Sequence, residues 1–157
     1  SPSEVVVAFY TSINTLDHMT MEDAVVDGAG RSFIREVTNL FVIDRQRMSV
    51  EFKSGFVDAS EWREAGMPAL EEGVVPYGVA RLRLTPLPAE EGTVAFTVEY
   101  ERWLPNFPED EQTTPTQPFV GYAVTDEVHL RQDREDWVIY QMTTVDRQEI
   151  DLEATGN

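Results

Sequence analysis

The sequence predicts an α+β fold, in which three N-terminal helices pack on a curved, mostly antiparallel sheet of four or more strands. Apolar residues recur at helical spacing through the first 50 residues. After residue 73 the period changes to two, in long β-branched and aromatic runs separated by residues typical of turns. Since 157 residues suit one folding unit, we expect a single domain over 1–157.

Helix signals divide the N-terminal part into three segments. Ser1, Pro2 and Glu4 match the N-cap, first and third positions of a capping box. A turn is predicted over 17–20, followed by a short second helix capped near Thr20 and ending at Gly28. The third helix should begin near Arg31. The predicted apolar positions of the first and third helices are Val5 or Val6, Phe9, Ile13 and Leu16, then Phe33 or Ile34, Val37, Leu40 or Phe41, and Met48.

The third helix and the segment after it carry two further expectations. Its polar residues, including Arg35 and Glu36, are predicted to face water. Residues 51–72 look irregular, with Asp58 or Ser60 capping one turn that contains Trp62. We expect Trp62 to cover the edge of the core.

Four runs, 74–85, 93–104, 119–131 and 137–148, are the predicted strands. Alternation assigns an inner, helix-facing set to the last three runs. That set is Val94, Phe96, Val98, Tyr100 and Leu104; Val120, Tyr122, Val124, Val128 and Leu130; and Val138, Tyr140, Met142, Thr144 and Asp146. Arg102 and Asp126 interrupt these apolar faces, and a charge on an inner face must be paired or border a wet cavity.

Composition excludes several classes of function. With 12 basic and 29 acidic residues, the net charge of −17 repels nucleic acids and anionic membrane surfaces. The absence of cysteine removes disulfides, thiol catalysis and zinc–thiolate sites. It also fits an extracytoplasmic location, envelope-anchored or secreted, although many cytosolic proteins lack cysteine too. The longest apolar run, Val5–Tyr10, is far short of the roughly 20 residues of a membrane span.

Motif searches predict no metal or cofactor. Nucleotide-binding and serine-hydrolase signatures are absent. His18 is expected to be exposed in a turn, and His129 to lie on the outer face of the sheet; they form no ligand motif. The acidic loop tip 109–111 lacks the ligand spacing of a calcium loop.

The opening segment SEVVVAFYTSINTLDHMTMEDAV places Asn14 near a helix end and Asp17 in a turn before a short helix. With the long C-terminal strands, it resembles the nuclear transport factor 2-like superfamily, a cystatin-like α+β cone shared by steroid isomerase and many small bacterial domains. The resemblance implies a cone that often encloses a pocket and an outer sheet face that often forms a dimer. The isomerase's helix-one tyrosine falls on Phe9, which has no hydroxyl, and its general-base aspartate matches no residue. The resemblance therefore implies a ligand-binding, oligomerisation or accessory domain of the bacterial cell envelope.

Simple hairpin registers bring Arg102, Tyr122 and Asp146 into one row, with Asp126 deeper, beside Val98 and Met142. One interpretation is a pocket for a small apolar or anionic ligand, in which Arg102 holds an anionic or carbonyl group. The candidate ligand-binding residues are Arg102, Tyr122, Asp126, Asp146, Tyr100 and Met142. The other interpretation is structural: an Arg102–Asp146 ion pair, with Asp126 held by hydrogen bonds.

Trp103, Trp137, Ile139 and Val145 are assigned to the outer face of the sheet, with Tyr77, Val79 and Phe119. So much apolar area predicts either a homodimer or cover by the chain itself. For function we favour a non-catalytic small-ligand-binding or protein-assembly domain. The alternative is an isomerase, dehydratase or hydrolase in which Asp126 is the general base, assisted by Arg102 and Tyr122.

Overall fold

The computed structural model describes residues 1–46, 55–106 and 117–152. The helices are α1 (Pro2–Asn14), α2 (His18–Ala24), α3 (Arg31–Gln46) and α4 (Ala59–Glu64). The strands are β1 (Phe56–Asp58), β2 (Val75–Leu87), β3 (Thr93–Pro105), β4 (Phe119–Asp133) and β5 (Asp136–Glu149). They form an open sheet in the order β1-β2-β3-β4-β5, antiparallel except for the short parallel pair β1–β2. The predicted α+β class is confirmed; β1 was not predicted.

The helix boundaries follow local capping chemistry. The predicted capping box of α1 is present, with the Ser1 side chain accepting from the Glu4 N–H. The prediction of a turn over 17–20 is wrong: Asp17 is the N-cap of α2, its carboxylate accepting from the Thr20 N–H at 3.1 Å. The helix therefore starts at His18 and ends at Ala24, before the predicted Gly28.

After α2, the third helix and the capped turn around Trp62 form as predicted, but 51–72 is not irregular throughout: β1 and α4 lie within it, and 51–54 fall outside the described residues. α3 begins at Arg31 and buries Val37 completely. Asp58 caps α4, and Trp62 on this helix lies over the sheet, 6% exposed. Met48, the last residue of the predicted α3 stripe, and the acidic loop tip 109–111 lie outside the described residues.

An extra residue in β2 reverses the side-chain parity along that strand. Ala80 pairs with Glu101 but Arg83 pairs with Glu99, so β2 carries one residue more than β3 across this step. Arg81 takes a positive φ of 54° there. The placement of Tyr77 and Val79 on the outer face is therefore wrong: both are buried in the main core.

Two similar steps occur in β5. His129 pairs with Gln141 and Leu130 with Ile139, which leaves Tyr140 as an extra residue. Further along, Asp126 pairs with Thr144 and Thr125 with Asp146, which leaves Val145 as the second. Each extra residue exchanges the inner and outer faces of the strand beyond it.

The core has two parts on opposite faces of the sheet. The main core lies between the sheet and helices α1, α2 and α3, and includes the fully buried Phe9, Tyr10 and Ile13 of α1. A smaller cluster, on the other face, joins Trp62 and Ala59 of α4 to Ala80 and Trp103. Among the residues that the structure describes, no helix combines the length and apolar character needed to cross a membrane.

The prediction that apolar residues form an exposed patch on the outer face of the sheet is wrong. Ile139 is fully buried in the main core, and Trp137 packs against that core, because the extra Tyr140 reverses the parity of this part of β5. Trp103 does lie on the outer face, but it is 0% exposed beneath Trp62, with their ring centroids 5.0 Å apart. Only Val145 of the four candidate interface residues is exposed. The chain itself therefore covers most of the apolar residues from which the homodimer was predicted.

Gly78 lets α1 approach β2 closely. The Asn14 side chain accepts from the Val79 N–H at 2.7 Å, and its amide donates to the Val79 carbonyl and the Asp58 carboxylate at 2.9 and 2.8 Å. A Cβ on Gly78 would lie 2.2 Å from the Asn14 Oδ1, at a φ of +118° that side-chain-bearing residues rarely adopt.

Gly78→Ala is therefore expected to lower the free energy of unfolding by about 3 kcal/mol, since backbone strain adds to the loss of the Asn14 contacts. Chemical denaturation measures this. Gly73→Ala is the matched control, because Gly73 also has a positive φ (84°) but open space around its Cβ position. Equal losses in the two variants would contradict a role for the Asn14 contact.

Candidate functional site

Asp126 is held at the centre of the inner face by three hydroxyl groups. Its Oδ2 accepts from Tyr10 Oη at 2.6 Å and from Tyr100 Oη at 2.7 Å, and its Oδ1 accepts from Thr144 Oγ1 at 2.7 Å. The donors come from α1, β3 and β5, so one carboxylate on β4 joins four elements. The predicted burial of Asp126 is confirmed at 1% exposure, while the neighbouring Glu127 is partly exposed.

The two tyrosines act here as hydrogen-bond donors. Burial raises the pKa of Tyr10 well above its ordinary value, and the negative charge of Asp126 raises it further. The pKa of Tyr100 is raised by the same two causes in the same order. Both hydroxyls therefore keep their protons at neutral pH. Three donors around one carboxyl group suit its ionised, acceptor-only form.

Arg102 forms a second polar network, which includes Glu36 of α3. Its Nη1 donates to the backbone carbonyls of Gly78 and Trp103 at 3.2 and 3.1 Å. Its Nη2 donates to the Glu36 carboxylate and to Tyr77 Oη, and that tyrosine also donates to Glu36, at 2.7 Å. Burial lowers the pKa of Arg102 to about 9, and the positive charge of Arg147 adds to this, so the guanidinium is still protonated at neutral pH.

A cavity of about 220 Å³ opens beside this guanidinium, and we call it the Arg102 pocket. Its lining combines charged Arg102, Arg147 and Glu36, apolar Phe33, Leu104 and Val124, and polar Ser32, Tyr100 and Thr144. Two guanidinium groups face one carboxylate there, so the pocket is locally positive in a chain of net charge −17. Such a site attracts a small anion.

A cleft of about 380 Å³ lies on the other side of Phe33 and Thr144, which line both spaces. We call it the Asp126 cleft, because that residue forms part of its wall with Asp27, Arg31 and Met142. Asp126 contributes almost no accessible surface to it. Three of the roughly four lone-pair sites of the carboxylate are already occupied, and its burial leaves a reactant in the cleft little access to the fourth.

The structure brings together some of the predicted ligand-binding residues. Arg102 and Tyr100 line the Arg102 pocket, and Asp126 and Met142 line the Asp126 cleft. Tyr122 pairs with Arg102 as predicted, and its ring lies 3.8 Å from the Arg147 guanidinium carbon. The pairing of Asp126 with Val98 is also confirmed.

Two predicted contacts are wrong. Asp146 does not pair with Arg102: the extra Val145 turns Asp146 to the outer face, opposite Thr125, where it is exposed. The same step brings Arg147 to the inner face, opposite Val124. The residue beside Asp126 on β5 is Thr144, and Met142 pairs with Val128 instead.

Three residues of the site were not predicted from the sequence. Glu36, expected to face water, reaches Arg102 and Tyr77 instead, because it borders the Phe33–Val37 stripe of α3. The inward position of Arg147 results from the extra residue Val145 in β5. Tyr10 carries the hydroxyl that Phe9 lacks. The two side chains are fully buried because α1 packs against the sheet and against α3. The buried inner position of Asp126 was the one signal that a donor from α1 was needed.

The histidines contribute no site. His18, expected to be exposed, is partly buried, with its ring centroid 5.0 Å from that of Phe41. The ring of His129 is tilted by 57° to that of Tyr140, with the centroids 6.2 Å apart. In residues 1–46, 55–106 and 117–152, no cluster of three or more acidic, histidine or cysteine side chains could hold a metal ion.

Comparison with known proteins adds no identity: no model of a known family matches the chain, and no curated protein is similar to it.

Proposed function

We propose that this chain is a nuclear transport factor 2-like domain that binds a small ligand in the Arg102 pocket without converting it. The arrangement of N-terminal helices on a mixed five-stranded sheet supports the family, as does Asn14 at the end of α1. The observation that carries the function is Arg102: the residue is only 6% exposed, yet it lines an open cavity. A charge held at that depth is expensive, and a bound ligand can use it.

The pocket supports a small ligand with one polar end. Its volume of about 220 Å³ is below the roughly 300–1,000 Å³ typical of sites for drug-sized molecules. Leu104, Val124 and Phe33 offer apolar contact on one side, and the guanidinium groups lie on the other. This arrangement fixes the orientation of a ligand that has an apolar body and an anionic or carbonyl group.

Catalysis by Asp126 is the second candidate, and one observation favours it: the residue lines a cleft large enough for a small substrate. Three hydroxyl donors already occupy three of the roughly four lone-pair sites of its oxygens, however, and the carboxylate is almost fully buried, whereas a general base needs a lone pair within reach of the substrate proton. We therefore prefer the non-catalytic function. The extracytoplasmic location, the homodimer and a role in protein assembly remain predictions from the sequence.

A fragment screen by protein-detected NMR tests the binding function. The expected result is that some anionic or carbonyl-bearing fragments shift the amide signals of Phe33, Leu104 and Val124 together. Leu104→Phe should fill the pocket and remove these shifts. Leu84→Phe is the matched control, because Leu84 is also partly buried against the main core but lines neither cavity.

Two results would overturn the proposal. One is a screen in which no fragment of any class perturbs the pocket. The other is chemical conversion of a bound fragment by the wild-type protein that Asp126→Asn abolishes, which would favour the enzyme.

A further inference from the structure

Glu36 is the least buried member of the Arg102 network. The Arg102 side chain is 7% exposed and the Glu36 side chain 36% exposed, so the carboxylate lies at the open side of the pocket. One oxygen, Oε2, accepts from both Arg102 and Tyr77. The glutamate thus supplies the anion that a buried guanidinium needs, and it does so from the solvent side.

We propose that Glu36 occupies the position of the ligand's anionic group, and that the natural ligand is a small carboxylate that displaces it. This rests on the proposed binding function and adds the ligand class and an internal competitor. When Glu36 leaves, one Nη2 hydrogen of Arg102 and the Tyr77 hydroxyl are freed, and another carboxylate can accept from both, as Glu36 does. Arg147, close enough to act on the charge of Arg102, supplies a second positive group that Glu36 alone does not neutralise.

The exchange is energetically feasible because Arg102 is paired before and after it. Removing a partner from a buried charge costs several kcal/mol, whereas replacing one carboxylate with another avoids that loss. The displaced Glu36 can move into water, since its side chain already borders solvent. Glu36 paired with Arg102 blocks the ligand's position. The ligand's apparent affinity is therefore its intrinsic affinity multiplied by the fraction of molecules in which that position is empty.

The size and lining of the pocket limit the carboxylate further. Leu104, Val124 and Phe33 give the ligand an apolar wall, and two of the three hydroxyl groups in the lining, those of Tyr100 and Thr144, already donate to Asp126. A short aliphatic or aromatic monocarboxylate fits this chemistry, whereas a phosphate ester or a sugar acid would leave polar groups unpaired.

Benzoate and its neutral isostere benzamide are suitable probes, titrated into the whole chain by NMR or calorimetry. Wild type is expected to bind benzoate more tightly than benzamide. In Glu36→Gln, benzoate affinity should rise about tenfold or more, because the amide keeps an acceptor for Tyr77 but no longer competes as an anion. Benzamide affinity should rise less, because a more often empty position helps any ligand, whereas the removal of the negative charge helps only the anion.

Two further variants separate this effect from others. Glu99→Gln removes one negative charge on the outer face of the sheet, where Glu99 pairs with the exposed Arg83, and it should leave benzoate affinity unchanged. Arg147→Gln, at an exposed position, is expected to weaken benzoate binding about tenfold while the fold is retained.

The outcomes distinguish this inference from the proposed function. If Glu36→Gln and Glu99→Gln change benzoate affinity equally, Glu36 is not a competitor. If benzamide binds as tightly as benzoate, or only uncharged fragments shift the pocket signals, the carboxylate class is wrong while the binding function stands. If neither probe nor any fragment reaches the pocket, the proposed function itself fails.

Discussion

Asp126→Asn is expected to lower the free energy of unfolding by about 2–4 kcal/mol, because buried donors are left without an acceptor. The carboxylate accepts from Tyr10, Tyr100 and Thr144. Asparagine offers one acceptor oxygen, and its amide group is itself a donor facing donors. Both tyrosine hydroxyls lie in the core, where water cannot replace the lost partner. Urea denaturation followed by fluorescence measures the change.

Glu127→Gln is the matched control for this prediction. Glu127 is the next residue on β4, points to the opposite face and is partly exposed. Its substitution should change stability by no more than about 0.5 kcal/mol. Similar small effects in both variants would mean that Asp126 does not organise the core.

Trp103→Ala is expected to lower the free energy of unfolding by about 3–5 kcal/mol, because it removes a large aromatic side chain from a filled core. Trp103 is fully buried within one chain, between Trp62, Phe119 and the closely apposed Gly121. The expected loss therefore requires no second copy of the protein. Thermal or chemical unfolding gives the stability, and light scattering gives the mass.

Val145→Ala provides the comparison on the same candidate interface. Val145 is 52% exposed, so its loss should change stability by less than about 0.5 kcal/mol. Neither variant should alter the mass. A fall in mass with Trp103→Ala, without a matching loss of stability in the remaining monomer, would instead support the sheet-to-sheet dimer predicted from the sequence.

Local signals in the sequence determined most of the helices and strands of this fold, although not the short β1. The capping box at Ser1 and Glu4 starts α1, and alternation through Val124, Asp126 and Val128 places the aspartate on the inner face of β4. Such signals act between residues close in the chain, where helical period or strand alternation leaves few choices. The burial of Asp126 was therefore predictable, although the identity of its donors was not.

Only the tertiary structure decided which charges meet at the site. The extra residue Val145 in β5 exchanges Asp146 for Arg147 on the inner face, and the extra residue near Arg81 in β2 turns Tyr77 inward to meet Glu36. A strand accommodates such a residue according to its pairing with neighbouring strands, and a one-residue step reverses every side chain beyond it. Because this choice is made between strands distant in sequence, the pattern within any one strand does not reveal it.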